Sequence, residues 1–108
     1  MKLSLTIAGL LLAAGTSLQA ADAKQNWDKY CAKCHGADGK GQTKMGKQSG
    51  AKDYTDAKVQ ADLKDETAVK TIKEGLTDNG KKKMEPYAEK LSDDEIKALV
   101  AHIRAFKK

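Results

Sequence analysis

The sequence predicts an all-α domain of three to five short helices. Apolar side chains recur at helical spacing in several segments, and no run alternates apolar and polar residues as a half-buried strand would. Glycines cluster between these segments, and the single proline, Pro86, falls outside all of them. We therefore expect helices joined by glycine-rich loops, with little or no sheet.

The first helix is predicted by apolar spacing and ended by glycine. Trp27, Cys31 and Cys34 stand at positions i, i+4 and i+7, which share one face of a helix. Gly36 is placed to end this helix. Residues 36–53 are polar and glycine-rich without a detectable period, so a loop is expected there.

Capping residues predict the later helices. Asp56 is placed to cap a short helix, and Asp65 to cap another that Gly75 ends. Residues 77–83 contain Asp-Asn-Gly, which predicts a turn within a loop. Residues 92–95, Ser-Asp-Asp-Glu, form a capping box for the last helix. The apolar face of that helix comprises Ile96, Leu99, Val100, Ile103 and Phe106.

Residues 1–20 have the layout of a secretory signal peptide. A lysine precedes an apolar run over residues 3–14, and small residues precede two candidate cleavage points, after Ala20 and after Ala23. An uncleaved membrane anchor is the alternative, but the apolar run is shorter than the ~20 residues that a spanning helix needs. We expect residues 21–108 to form one domain in the periplasm, an oxidising compartment, without stable membrane insertion.

The chain after residue 20 is short of bulky apolar side chains, with ten large aliphatic and five aromatic residues. Small domains bury a low fraction of their surface and often need a disulfide, a metal or another staple. Composition therefore predicts that a bound group completes the core. The net charge of +5 comes from 20 basic and 15 acidic residues that are interspersed, which, with export, argues against nucleic-acid binding.

The segment Cys31-Ala32-Lys33-Cys34-His35 carries the predicted chemistry. Two cysteines three positions apart on a helix place their sulfurs on nearly one side, where both can add to the vinyl groups of one haem. The next residue, His35, can then reach the iron. Cys-x-x-Cys-His is the c-type haem attachment pattern for this reason, and it predicts one haem c per chain.

The cysteines have three alternative uses. A structural zinc site needs a second pair of ligands, and His102 is the only other histidine. A thioredoxin-like redox pair needs a β-α-β context, which the sequence lacks. A disulfide between Cys31 and Cys34 would explain neither His35 nor the thin core.

Residues 25–107 resemble the small monohaem c-type cytochromes of class I. This resemblance implies a cytochrome c-like fold wrapped around one covalently bound haem, N- and C-terminal helices that cross, and one-electron transfer. Members of this family commonly have a proline soon after the Gly-x-Gly segment, and it orients the haem-binding histidine. Gln42 and Thr43 occupy that place here, so the resemblance assigns no hydrogen-bond acceptor to His35. The segments that carry the resemblance are CAKCHG at 31–36, GKG at 39–41, IKEG at 72–75, MEPY at 84–87 and the helix at 91–106.

The second axial ligand of the iron has four candidates, namely Met84, Met45, His102 and a lysine. The resemblance implies Met84, because the family takes this ligand from a late loop before the last helix. Its thioether is a soft neutral ligand that suits haem iron, although a methionine there can also be a core filler. Met45 is expected to lie over the haem edge or to be partly exposed, and His102 to be a partly exposed surface residue.

With His35 and Met84 on the iron, no position is left for oxygen or peroxide, so we expect an electron carrier and not an enzyme. The alternative is a five-coordinate or weakly ligated haem protein that binds gases or reduces peroxide. We expect a monomer whose partners are redox proteins: a quinol-oxidising complex, a terminal oxidase or a periplasmic dehydrogenase.

Lysines flank the predicted haem segments and either steer acidic partners or form an ordinary solvated surface. They are Lys33, Lys40, Lys44, Lys47, Lys81, Lys82 and Lys83.

The thin core predicts that the haem-free chain is largely unfolded. The double variant Cys31→Ala/Cys34→Ala, which cannot attach haem, should lose most of its helical circular dichroism relative to the haem-loaded protein. A well-folded double variant would contradict the prediction.

Overall fold

The computed structural model describes residues 22–108, so residues 1–21, with the predicted signal peptide, lie outside the described part. Within residues 22–108, five helical segments and one two-stranded hairpin follow each other, which confirms the mostly helical prediction. In chain order they are α1 (residues 22–35), α2 (Lys44–Ser49), α3 (Ala57–Asp62), α4 (Asp65–Glu74), β1 (Leu76–Asp78), β2 (Lys81–Met84) and α5 (Asp93–Ala105).

Helix α1 contains a π-helical turn at Trp27–Cys31 and ends in an α-helical turn at Ala32–His35. The π-helical turn is defined by the N–H of Ala32, which donates to the carbonyl of Trp27, five residues earlier. Gly36 follows with φ +84° and donates its N–H to the carbonyl of Ala32 at 2.8 Å. The predicted end of this helix at Gly36 is therefore confirmed.

Helix α2 lies where a loop was expected, so that part of the prediction is wrong. The Thr43 hydroxyl caps the helix by accepting the N–H of Gly46 at 2.9 Å, and it donates to the carbonyl of Cys34 at 2.6 Å. A Cβ on Gly46 would collide with the same Cys34 carbonyl. Tertiary contact with the end of α1 therefore stabilises α2. The sequence of α2 has no apolar periodicity from which the helix could have been predicted.

Helices α3 and α4 follow the predicted pattern, with one difference. Asp56 caps α3 as expected, accepting the N–H of Lys58 at 2.7 Å. Asp65 does not cap α4, because the N-cap position belongs to Lys64. Asp65 lies in the first turn and accepts a hydrogen bond from Arg104 of α5 at 2.7 Å. Its carboxylate is thus used to join two helices.

The segment between α4 and α5 is an antiparallel hairpin and not the predicted loop. The turn residues Asn79 and Gly80 have φ of +53° and +77°, the combination that gives a tight two-residue hairpin turn. The Asp-Asn-Gly signal therefore marked a turn correctly. The strands were missed because strand β1 and the first half of β2 are exposed and do not alternate in polarity.

Helix α5 begins with the predicted capping box, in which Ser92 accepts the N–H of Glu95 at 3.1 Å and Glu95 accepts the N–H of Ser92 at 2.8 Å. The helix supplies half of the buried apolar cluster. That cluster consists of Trp27, Ala68, Ile72, Leu91, Ile96, Leu99, Val100 and Ile103.

Helices α1 and α5 meet through aromatic rings, as the resemblance implies. The Trp27 ring centroid lies 5.1 Å from that of Phe106 and 5.4 Å from that of His102. His102 also packs edge-on against Phe106 at 5.0 Å. It is half-buried, and burial lowers its pKa from the ordinary value.

A buried polar network joins α3 to α5. Gln60 is 5% exposed, and its side-chain amide donates to the carbonyls of Tyr54 at 2.7 Å and Ile103 at 2.8 Å. Arg104 donates to the carbonyls of Gln60 at 2.7 Å and Leu63 at 2.6 Å. These two carbonyls lie at the C-terminal end of α3, where intrahelical partners run out, and the Gln60 carbonyl also accepts the N–H of Leu63 at 3.3 Å.

The described residues, 22–108, include no helix that is both long and apolar enough to cross a membrane.

Two glycines allow the packing against Phe106 to be measured. Gly39 and Gly50 have similar φ values, +74° and +76°, but a Cβ on Gly39 would approach the Phe106 ring to 2.6 Å, whereas a Cβ on Gly50 meets nothing within 4 Å. Gly50→Ala should cost about 1–2 kcal/mol of unfolding free energy because an L residue is strained at that φ. Gly39→Ala should cost roughly 1–3 kcal/mol more from overpacking.

The measurement is guanidinium unfolding of the haem-loaded variants. Equal losses in the two variants would show that the approach of Gly39 to Phe106 does not limit packing.

Candidate functional site

One cavity of about 280 Å³ is lined by the residues that the sequence analysis predicts to bind the haem and its iron. Cys31, Cys34 and His35 reach it from the end of α1, and Met84 reaches it from the end of β2. Tyr54, from the loop before α3, also lines it. The fold therefore brings the four predicted site residues to a single cavity, although Met84 is far from the other three in the chain.

Both cysteines are free thiols and half-buried, so the disulfide alternative is not formed. Burial, with a smaller contribution from the neighbouring Cys34, raises the pKa of Cys31 to about 12. Before a haem is attached, Cys31 is therefore a neutral thiol. In the described range 22–108, no group of three or more His, Cys, Asp and Glu side chains is arranged to hold a metal ion.

The imidazole of His35 lies among aromatic rings. Its centroid is 5.5 Å from that of Trp27 and 5.5 Å from that of Tyr54, with the Tyr54 ring inclined by 27° in a stacked arrangement. Nδ1 is buried and has no hydrogen-bond partner among residues 22–108. Burial lowers the pKa of His35, which favours the neutral ring that binds metals.

Backbone contacts hold Met84 close to the end of α4. A Cβ on Gly75 would approach the Met84 carbonyl to 2.6 Å, so only glycine allows this packing. Beyond Pro86, the N–H of Tyr87 donates to the carbonyl of Ile72 in α4 at 2.9 Å. The half-buried Met84 side chain is thus presented from a fixed segment.

The other candidate ligands differ in position. Met45, on α2, lines the cavity with 42% of its surface exposed. Leu76 lines it as well, with 49% exposed. His102 is not among the lining residues and lies instead beside Trp27 and Phe106.

Two of the seven predicted lysines, Lys82 and Lys83, line the cavity. Lys52 lines it too, although the sequence analysis did not select it, because nothing in the loop around it indicates which side faces the site. The stacking of Tyr54 on His35 was missed for the same reason. Its side chain is placed by the N–H of Tyr54, which donates to the carbonyl of Gly39 at 2.8 Å.

The donor set and the surface of the cavity fit a haem. Two thiols can form thioethers, a neutral imidazole and a thioether are ligands suited to haem iron, and Met45 and Leu76 offer apolar surface to a flat apolar group. The unpartnered Nδ1 of His35 is buried, so Nε2 is the ring nitrogen left for the iron.

Comparison with known proteins identifies the family. Residues 18–103 match the family described as "Cytochrome C oxidase, cbb3-type, subunit III". A solved structure, "KustC0563 c-type cytochrome", is 39% identical, with a TM-score of 0.71, and the match covers 81% of this chain and 99% of that one. A second, a tyrosine-to-phenylalanine mutant of Kustc0563, is 38% identical, with a TM-score of 0.69, and covers 80% and 99%. A search of curated proteins finds no match.

These matches agree with the cavity and with the helical fold around it. The family consists of haem-based electron carriers, and c-type cytochromes attach their haem c covalently. The chain belongs to this c-type cytochrome family, as a small class I member with covalently bound haem c.

Proposed function

We propose that the protein is a periplasmic one-electron carrier with His/Met ligation of the iron. Cys31 and Cys34 hold the haem, His35 is one axial ligand and Met84 is the other. The observation that carries the proposal is the cavity that all four side chains line. Within residues 22–108, no other histidine lines it, so the bis-histidine alternative has no support from the geometry.

The haem supplies an iron that alternates between the ferric and ferrous states. The chain contributes by holding its two ligands in fixed positions. His35 is fixed at the end of α1, and the backbone of Met84 is packed against Gly75. Because neither segment has to move when the charge on the iron changes, reorganisation during electron transfer is small.

Met84 is preferred to Met45 because of the backbone around each. Met84 is half-buried and lies in a segment tied to α4, whereas Met45 is 42% exposed on a six-residue helix. The more buried and better fixed thioether is the better permanent ligand. We propose that Met45 packs on the haem edge.

Removal of each methionine tests this assignment. Met84→Ala should lose the weak sulfur-to-iron band of the ferric protein, and its ferrous form should bind carbon monoxide rapidly, because one axial position opens. Met45→Ala is the matched control and should keep the band. The measurements are visible spectra during a redox titration and carbon monoxide uptake.

If wild type lacks the band and binds carbon monoxide rapidly, the five-coordinate gas-binding or peroxide-reducing alternative holds, and the carrier proposal is wrong.

We propose that the chain is exported and that cleavage follows Ala20. The layout of residues 1–20 supports export. Ala23 is 5% exposed and lies in the α-helical residues 22–26. Cleavage after Ala20 keeps this buried residue, whereas cleavage after Ala23 removes it, so the earlier point fits the domain better.

We propose that the protein works as a monomer and that its partners are redox proteins with acidic docking faces. Lys52, Lys82 and Lys83 line the cavity together with one acidic residue, Glu85, which pairs with Lys82 at 3.4 Å, so these lining residues give the rim a net positive charge. The description of the matching family names an oxidase subunit, which favours a terminal oxidase as acceptor over a quinol-oxidising complex or a periplasmic dehydrogenase.

Charge reversal tests the positive rim with a small anionic oxidant, ferricyanide. In Lys52→Glu/Lys82→Glu, the second-order rate of oxidation at low salt should fall by about tenfold, and its dependence on ionic strength should weaken. Lys107→Glu/Lys108→Glu changes the net charge by the same amount at residues that do not line the cavity, so it is the control and should change the rate less. If the rim and control variants slow oxidation equally, the net charge of the protein determines the rate and the position of the lysines does not.

A further inference from the structure

The rotation of the His35 imidazole is not fixed in the usual way. Histidines that bind metals almost always donate their second ring N–H to a carboxylate, a carbonyl or water, and this bond fixes the plane of the ring. Here the second nitrogen, Nδ1, is buried without a hydrogen-bond partner in the described chain.

Two aromatic side chains contact the imidazole, although no hydrogen bond to residues 22–108 holds its second nitrogen. The Trp27 and Tyr54 ring centroids each lie 5.5 Å from that of His35, at interplanar angles of 39° and 27°. Aromatic pairs attract each other at such separations, roughly 4.5–7 Å, and their energy depends on the angle between the rings. Rotation of the imidazole about its Cβ–Cγ bond would change both angles at once.

The Trp27 ring and the backbone of Tyr54 are both held by hydrogen bonds. Trp27 is 2% exposed, and its indole N–H donates to the carbonyl of Gly36 at 2.9 Å. Tyr54 is held through its backbone, since its N–H donates to Gly39 at 2.8 Å and its carbonyl accepts the amide of Gln60 at 2.7 Å. The two aromatic neighbours of His35 are therefore attached at defined places in the fold, from which they can favour one orientation of the imidazole.

We infer that Trp27 and Tyr54 are positioning residues that set the rotation of the His35 imidazole in place of a hydrogen bond at Nδ1. The inference rests on the proposed ligation of iron by His35. In ferric low-spin haem, the plane of the axial imidazole determines which pyrrole direction carries the unpaired electron density.

Proton magnetic resonance of the haem-loaded protein tests the inference through Tyr54. The order and spread of the four haem methyl resonances in the ferric state report the orientations of both axial ligands. In the ferrous state, the Met84 methyl resonance reports the position of the thioether, and the His35 ring protons report ligation. Tyr54→Leu removes the aromatic face, and Tyr54→Phe keeps it but removes the hydroxyl. Tyr54→Phe is therefore the matched control for Tyr54→Leu.

We expect Tyr54→Leu to change the order or spread of the haem methyl resonances while the His35 ring protons and the Met84 methyl keep their wild-type ligated shifts. Tyr54→Phe should retain the wild-type pattern. Tyr54→Met, a flexible side chain of similar length, repeats the test if Tyr54→Leu does not mature.

The inference is overturned if removal of the Tyr54 ring leaves the haem methyl pattern unchanged, or if Tyr54→Phe changes it equally. Failure of the proposed function looks different, because wild-type His35 ring protons would then lack the shift that the haem ring imposes on a ligand.

Discussion

The hydrogen bond from the indole of Trp27 to the carbonyl of Gly36 connects the start of the haem-binding segment to the residue that ends it. It closes the chain around Cys31, Cys34 and His35, so the backbone that carries the two thiols and the imidazole is held at both ends. The same indole contacts Phe106 and His102 of the C-terminal region. One nearly inaccessible side chain therefore couples the site to the crossing of α1 and α5.

A second connection reaches the site from the opposite direction. Arg104 donates to carbonyls at the end of α3, and Gln60 donates to the carbonyls of both Tyr54 and Ile103. The ion pair of Arg104 with Asp65 is largely exposed and contributes little by itself. The bonds to the carbonyls matter more, because buried carbonyls without partners are costly. Through them, the last helix fixes the loop that presents Tyr54 to His35.

Much of the fold could be predicted where a residue acts locally. The capping box at Ser92 and Glu95, the cap at Asp56 and the helix end at Gly36 each depend on a few neighbouring residues. Helix α2 could not be predicted, because it depends on Thr43 and Gly46 meeting the carbonyl of Cys34. Contacts of this kind exist only after folding and leave no period in the sequence.

The residues of the candidate site also fall into those that could be predicted from the sequence and those that could not. The Cys-x-x-Cys-His spacing identified three of its residues directly, and the resemblance to class I cytochromes supplied Met84. Tyr54 and Lys52 were not assigned to the cavity, because both lie in loops whose path is set by hydrogen bonds to distant backbone. The unpartnered Nδ1 of His35 likewise depends on three-dimensional surroundings that no spacing reveals.

The π-helical turn of α1 allows one short helix to contact two different parts of the protein. A turn closed by a bond between residues five apart contains one residue more than an α-turn, so the side chains beyond it are displaced around the helix axis. Ala23 and Trp27, in the first half of the helix, are buried in the protein interior. Cys31 and Cys34, in the second half, line the cavity. A single short helix thus serves two neighbours at different angles, and a very small domain encloses a large cofactor without a further helix.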